Sequence, residues 1–358
     1  MKHIHPPRVA VDVLLSTRRR LLVGGTAALA LGACGRQSAQ VGDGLHLTGT
    51  SMASTYNVKL ARGAGVDAAR VHDAVQSALA AVEARMSLYR ADSELARLNR
   101  HGTGQPLGLS PELFAVLAAA QRVSELADGA FDVTVAPLVQ AWGFGTEKRR
   151  AVPPAHQVEG KRAAVGWRGL RLDAGTHSAS KARADLHIDL GGIAKGYGVD
   201  RAALALDALG VTDYMVELGG EVRTRGHNTA GQPWRIGIEQ PDAMPPRARH
   251  VVPLAGRSMA TSGDYRNYFE QDGRRYSHAI DPARAAPIAH ALCSVSVMAD
   301  DCMQADALAT ALIVLGAERG RALAERAGIA AQFIERTADG GWRDSMTRAF
   351  AALGPVSA

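Results

Sequence analysis

The stretch HIDLGGIAKGYGVDR, His187–Arg201, decides how the rest of the chain is read. Leu186, Ile188 and Leu190 alternate onto one side, which predicts a strand ending at Gly191–Gly192. From Ile193 the pattern changes, and IAKGYGVDRAALALDALG predicts a helix closed at Gly210. At this junction Gly191, Gly192, Gly196 and Gly198 surround Lys195, with Asp189 and Asp200 at the ends. Paired glycines let backbone approach a ligand closely, and a helix start presents unpaired N–H groups with partial positive charge. Lys195 adds a full charge in the first turn. The combination suits a phosphate or diphosphate. It is neither G-x-x-x-x-G-K-[ST] nor G-x-G-x-x-G, however, and on these residues alone a plain turn with a solvated lysine fits as well.

Working outward, alternation from Leu45 through STYNVKL predicts a strand. Between Val66 and Tyr89, the residues Val71, Val75, Leu79, Val82 and Met86 recur at helical intervals. Ser110 and Pro111 read as the N-cap and first turn of a helix whose apolar face is Leu113, Val116, Leu117, Ala120 and Val123, with Gly129 as its closing residue. A Gly-, Pro- and charge-rich connection follows from Gly143 to about Gly160. YMVEL reads as a strand, and WRIGIEQ and CSVSVMA as two more with period-2 alternation. DCMQADALATALIVLG reads as a helix ending near Gly316, with another running to Ala327. No repeat and no regular βαβ rhythm is present, so the fold class is α+β.

The chain has 358 residues, 47% hydrophobic and 21% charged, an ordinary globular balance. An aromatic share of 5% argues against a stacking surface for single-stranded nucleic acid. The pI of about 9.4 comes mostly from the N-terminus. Residues 1–33 carry Lys2, Arg8, Arg18, Arg19 and Arg20 against Asp12, a net +4 of the whole chain's +6. This segment places arginines before an apolar run, Leu21–Leu31, too short to span a bilayer, and reads as an export signal. Ser16–Leu22 resembles a twin-arginine signal, and Leu31-Gly32-Ala33-Cys34 resembles a lipobox that makes Cys34 the lipidated first residue. Residues 34–44 then read as a tether, and 45–358 as one domain. Cys293 and Cys302 receive no chemistry from sequence.

Three further features can carry chemistry. Asp306 and Thr310, four residues apart on one helix, share a face and offer hard oxygen donors for Mg²⁺ or Ca²⁺; a back-bonded threonine and a solvated acid fit the same spacing. His278 lies near a strand end before Pro282, where a histidine serves as a general base or only as structure. Thr261, Ser262 and Arg266 are candidate phosphate contacts. No Ser-His-Asp or Cys-His arrangement can be read from spacing. Together a cradle, a metal pair and a base without a covalent nucleophile suit metal-assisted attack on a phosphoanhydride by an external hydroxyl.

The blocks DGAFDVTVAPLVQAWGFG, HIDLGGIAKGYGVDR, VELGGEVRTRG, MATSGDYRNYF, RYSHAIDP and ADALATAL occur in an order that resembles the ApbE family of flavin transferases, from about Ser51 to Gly316. The resemblance implies a T-fold-like architecture. It also implies Mg²⁺-dependent transfer of FMN from FAD to a Thr or Ser hydroxyl of an acceptor flavoprotein, releasing AMP. By that resemblance Met52, Tyr89, Ala130, Phe131, Asp132, Asp189, Lys195 and Ile280 match FAD-contacting positions. Gly192, through its carbonyl, and Asp306 and Thr310, through their side chains, match metal ligands, and His278 matches the base. It further implies an acceptor with a D-G-x-[ST]-[GS]-A-[ST]-like motif and a lipid-anchored protein facing the periplasm. Nucleic acid is not an expected partner.

The chain departs from the family pattern in three places: Ala53 replaces a common glycine, Ala285-Ala286 stands where Thr-Gly is frequent, and Ala309 replaces a second acid. Two other functions stay open, the first with the same residues. One is FAD hydrolysis to FMN and AMP; the other is a lipoprotein that binds FAD without cutting it.

Overall fold

The chain leaves the strand Ser54–Leu60 at Ala61 and returns beside it at Tyr214, with the Ala61 amide donating to the Asp213 carbonyl at 3.0 Å. The computed structural model describes residues 38–41, 44–61, 65–146 and 150–358. The expected export signal and Cys34 lie outside them. Among the described residues one sheet has nine strands, ordered as they occur along the chain: Ser38–Val41, Gly44–Ser51, Ser54–Leu60, Tyr214–Leu218, Glu221–Arg225, Ser258–Gly263, Leu292–Ala299, Ala330–Arg336 and Trp342–Met346. Every pairing in it is antiparallel. The first of these strands falls inside the stretch expected to be a tether.

Between Ala61 and Tyr214 the chain builds α1 (Ala68–Met86), α2 (Glu94–Arg100), α3 (Pro111–Leu126), α4 (Ala136–Ala141), α5 (Ala155–Arg162) and α6 (Ala194–Ala208). α7 (Cys302–Leu315) and α8 (Ala317–Arg326) join the central strand Leu292–Ala299 to Ala330–Arg336. The faces predicted for α1 and α3 are the buried ones. Val71, Val75 and Leu79 of α1 pack with Val199, Ala202 and Leu206 of α6 on Tyr56, Val58 and Val216 of the sheet. α3 and α7 bury Leu117 and Leu312 over Val295 and Val297. The opposite face holds Met215, Met259, Met298 and Ile334 under a small sheet of Trp234–Glu239, Ala248–Leu254 and Val356–Ser357.

Several expectations change. The alternating run Leu186–Leu190 is extended but joins no ladder beyond an isolated bridge from His187 to Val135. Its alternation reports burial, and its backbone is satisfied by a side chain. Buried Asn99 of α2 accepts from the Ile188 amide at 2.7 Å and donates to the Ile188 carbonyl at 3.0 Å, while the Asp189 amide reaches Val133 O at 2.7 Å. Lys181, 1% exposed, braces the same region by donating to the carbonyls of Asn99, Ala184 and Leu186. The connection expected over Gly143–Gly160 contains α5, which buries no residue. CSVSVMA is buried on both faces rather than one, because helices cover one side and the small sheet lies over the other.

Ala53 (φ 56°) and Ala285 (φ 53°) occupy left-handed backbone, a conformation that costs an alanine roughly 1–2 kcal/mol.

Replacing Asn99 by leucine leaves two buried peptide groups unpaired. Chemical denaturation is expected to show a loss of about 2–4 kcal/mol; a loss below about 1 kcal/mol would contradict this clamp.

Candidate functional site

α6 and α7 cross at Gly196. A Cβ there would overlap the Cys302 carbonyl and crowd the Asp306 side chain, so only glycine fits. The crossing is tied by acids from both helices. Asp200 of α6 accepts from the Cys302 amide at 3.0 Å and the Met303 amide at 2.9 Å, and pairs with Arg223. It thereby supplements Asp301, the N-cap of α7, whose side chain accepts from the Gln304 amide. In return Asp306 of α7 accepts from the Gly196 amide at 3.0 Å through Oδ2. Its Oδ1 has no donor among the described residues. Burial raises the Asp306 carboxyl above its ordinary range, against the opposing pull of Lys195 and the Gly196 amide.

The loop before α6 is organised for an anion. Gly191 donates to Asp189 Oδ1 at 2.7 Å, and the amides of Ile193 and Ala194 donate to the Leu190 carbonyl at 3.0 and 2.8 Å. The amides of Gly192 and Lys195 have no acceptor among the described residues. Lys195 pairs with Glu221. Burial alone would depress the ammonium, but the Glu221 and Asp306 charges outweigh it and hold Lys195 above its ordinary value. The Glu221 carboxyl is pushed up to about 7, by burial first, with Lys195 opposing.

Gly192 lies against Thr310 and Phe131: a Cβ on it would come within 3.0 Å of the Thr310 side chain and 3.3 Å of the Phe131 ring. Thr310 Oγ1 is 3.2 Å from Ser262 Oγ. Met52, at φ 50°, donates its amide to Glu83, and its Sδ abuts Gly198. Gly192, Lys195, Asp306, Thr310 and Phe131 are therefore brought together, while Met52 meets α6 farther along, at Gly198. Ala130 packs against the same core. Asp132 spends its carboxylate on Thr134 (2.7 and 2.6 Å) and the Trp167 amide (2.9 Å), so it shapes the segment that runs beside Asp189. Tyr89 stands apart at the surface, 68% exposed.

His278 lies in the excursion between Ser258–Gly263 and Leu292–Ala299. Its amide and Nδ1 both face the Asn267 carbonyl at 3.0 Å. A carbonyl only accepts, so Nδ1 carries the proton and Nε2 keeps its lone pair. Burial lowers this imidazole below the ordinary 6.5, and the Lys195 charge acts the same way; the Asn267 carbonyl and Asp264 oppose. Ile280 is buried nearby against Leu138, Trp142 and Phe269.

Two of the three phosphate contacts expected from MATSGDYRNYF are engaged elsewhere. Thr261 faces the opposite side of the sheet from Ser262 and bonds Ser296 at 2.8 Å, and Arg266 pairs with Glu239. Glu221 and Asn99 escaped sequence reading. The acid-rich VELGGEV block was a signal for Glu221; nothing local marks Asn99.

Among the described residues no group of three or more His, Cys, Asp or Glu is placed to hold a metal. The donor set at hand is one carboxylate oxygen, one hydroxyl and a neighbouring backbone carbonyl, all hard. Such a set fits a Mg²⁺ that takes its remaining ligands from water and phosphate.

The ApbE family model matches residues 52–333. The chain is 43% identical over 324 residues to the FAD:protein FMN transferase of Vibrio cholerae, covering 90% of this chain and 95% of that one. It is 40% identical over 333 residues to the enzyme of the same name from Haemophilus influenzae, covering 91% and 95%. Among solved structures, flavinyl transferase ApbE of Pseudomonas stutzeri in its apo form superposes with a TM-score of 0.79 at 41% identity, covering 89% of this chain and 97% of that one.

Gly196→Ala is expected to lower stability by about 1–3 kcal/mol, the cost of overpacking, in thermal unfolding. Gly160→Ala in α5, with open space around it, is expected to be neutral or stabilising. Equal effects would mean that the α6–α7 crossing does not need its glycine.

Proposed function

The chain belongs to the ApbE family and is a flavin transferase; from that premise we propose that it moves FMN from FAD to a Thr or Ser hydroxyl of an acceptor flavoprotein, with Mg²⁺, releasing AMP. The observation that carries this reading is the convergence of two free amides, Lys195, an open Asp306 oxygen and the Thr310 hydroxyl around one turn.

The Gly192 and Lys195 amides and the Lys195 ammonium would hold the FAD diphosphate. Asp306, Thr310 and the Gly192 carbonyl would hold Mg²⁺, which when bound neutralises phosphate charge. His278 Nε2 would take the acceptor's hydroxyl proton as its oxygen bonds to the FMN-side phosphorus. The bond from that phosphorus to the bridging oxygen breaks, and AMP leaves with the oxygen. Met52 would offer apolar surface for the rings; the resemblance also assigns Tyr89, the segment Ala130–Asp132 and Ile280 to FAD, of which Tyr89 stands apart at the surface and Ile280 is buried against Leu138 and Trp142. The expected acceptor carries a D-G-x-[ST]-[GS]-A-[ST]-like motif. The N-terminal signal and Cys34 support a periplasmic, lipid-anchored location. No helix among the described residues is long and apolar enough to cross a membrane.

The experiment incubates the protein with FAD, Mg²⁺ and a subunit bearing that motif, and reads covalent flavin fluorescence in a denaturing gel. Labelling should require Mg²⁺, vanish in Asp306→Ala and fall about 10²-fold or more in His278→Ala. AMP release without labelling would turn the reading to hydrolysis, and bound but intact FAD to a carrier.

The neutral imidazole is the base, so transfer should persist at neutral pH and fall as pH drops through a value below 6.5. Because folding depresses this pKa, the histidine's contribution to stability is also present above about 6.5 and is lost as pH falls. A pH–rate profile for kcat/KM checks the first point; a limb above 6.5 that survives His278→Ala would contradict the assignment.

A further inference from the structure

The block VELGGEV, Val216–Val222, has no role in the chemistry above. It places two acids, Glu217 and Glu221, on either side of a Gly219–Gly220 turn with φ of 65° and 111°. The acids face opposite sides of the sheet. Glu217 is satisfied, accepting from Asn57 Nδ2 at 2.7 Å and the Gly220 amide at 2.8 Å. Glu221 faces α6, as Arg223 does in reaching Asp200 from the same strand face.

Glu221 is only 2% exposed, yet Oε1 meets Lys195 and Oε2 is buried with no donor. Apart from Asp306, the other buried acids among the described residues have protein donors on both oxygens, for example Glu94 from Ser110, Asp200 from α7 and Arg223, and Asp264 from Arg336. A buried carboxylate left half-paired costs stability. Its one protein partner is Lys195, whose side chain remains 31% exposed while that of Glu221 is 3% exposed. The ammonium thus rests on Glu221, while the Lys195 side chain stays partly open to solvent at the turn that carries the free amides of Gly192 and Lys195.

We propose that Glu221 is a positioning residue for the FAD diphosphate: it anchors the inner side of the Lys195 ammonium so that its remaining N–H donors face the ligand. This rests on the flavin-transfer reading. Glu221 touches neither substrate nor metal in this assignment and acts through Lys195.

The test uses the whole protein with Mg²⁺ and measures FAD affinity by flavin fluorescence quenching, transfer kinetics with acceptor, and thermal unfolding. Glu221→Gln is expected to unfold in one transition like the parent, to weaken FAD binding at least tenfold, and to raise KM for FAD more than it lowers kcat. The double variant Glu221→Gln/Lys195→Met should bind FAD no more weakly than Lys195→Met alone. Glu221→Asp should recover part of the affinity. Parent-like FAD binding in Glu221→Gln, or losses that multiply in the double variant, would overturn the proposal. Should Glu221→Gln fail to fold, Glu221→Asp decides, since a carboxylate drawn back by one methylene should raise KM for FAD; an unchanged KM would overturn it. A parent protein that bound no FAD would instead bring down the functional reading, and this inference with it.

Discussion

The close crossing of α6 and α7 is the constraint on which the rest of the structure depends. Without a side chain at Gly196 the two backbones approach until an acid of each helix can bond to amides of the other. Asp200 fixes the start of α7, and Asp306 fixes the first turn of α6. These reciprocal bonds set the position of the loop before α6, because that loop continues directly into the turn Asp306 holds. Asn99 secures the other end of the same segment through Ile188. Between these two clamps lie Gly191, whose amide is taken by Asp189, and Gly192, whose amide, like that of Lys195, has no acceptor among the described residues.

Electrostatics follow from this packing. Asp306, Glu221 and Lys195 share one buried neighbourhood, two acids with a single base, and both carboxyl groups are pushed toward their neutral forms by burial. Lys195 is held charged by the same two acids. Buried carboxylates are compensated by pairing or by cations, and the uncompensated charge here lies beside hard oxygen donors. A divalent cation with an anionic ligand would satisfy the open Asp306 oxygen and the open amides together. Burial, with the Lys195 charge acting the same way, lowers the His278 imidazole below its ordinary value and so favours its neutral form.

Much of this could be read from the residues. The faces of α1 and α3, the cap at Ser110 and the alternation of the strand at Trp234 are patterns that burial obeys directly. The site motifs were legible because each lies within a short run: glycines around Lys195, Asp306 four residues before Thr310, His278 before a proline turn. What was not legible depends on partners distant in sequence. The run at Leu186 alternates like a strand but bonds to a side chain 89 residues away. Thr261 and Ser262 look equivalent in sequence, whereas the pleat sends one to Ser296 and the other to Thr310. CSVSVMA alternates serine with apolar residues as a half-exposed strand would, and only its interior place in the sheet, with layers on both sides, buries both faces.

The central claim is that the turn Gly191–Gly196 and the facing oxygens of α7 form one site for a divalent cation and the FAD diphosphate. It is tested most directly by a crystal structure of the protein with FAD and Mn²⁺, read from the anomalous signal of the metal. The account predicts a single strong peak among Asp306, Thr310 and the Gly192 carbonyl, with the diphosphate against the Gly192 and Lys195 amides. A metal peak elsewhere, or a diphosphate bound away from that turn, would contradict it.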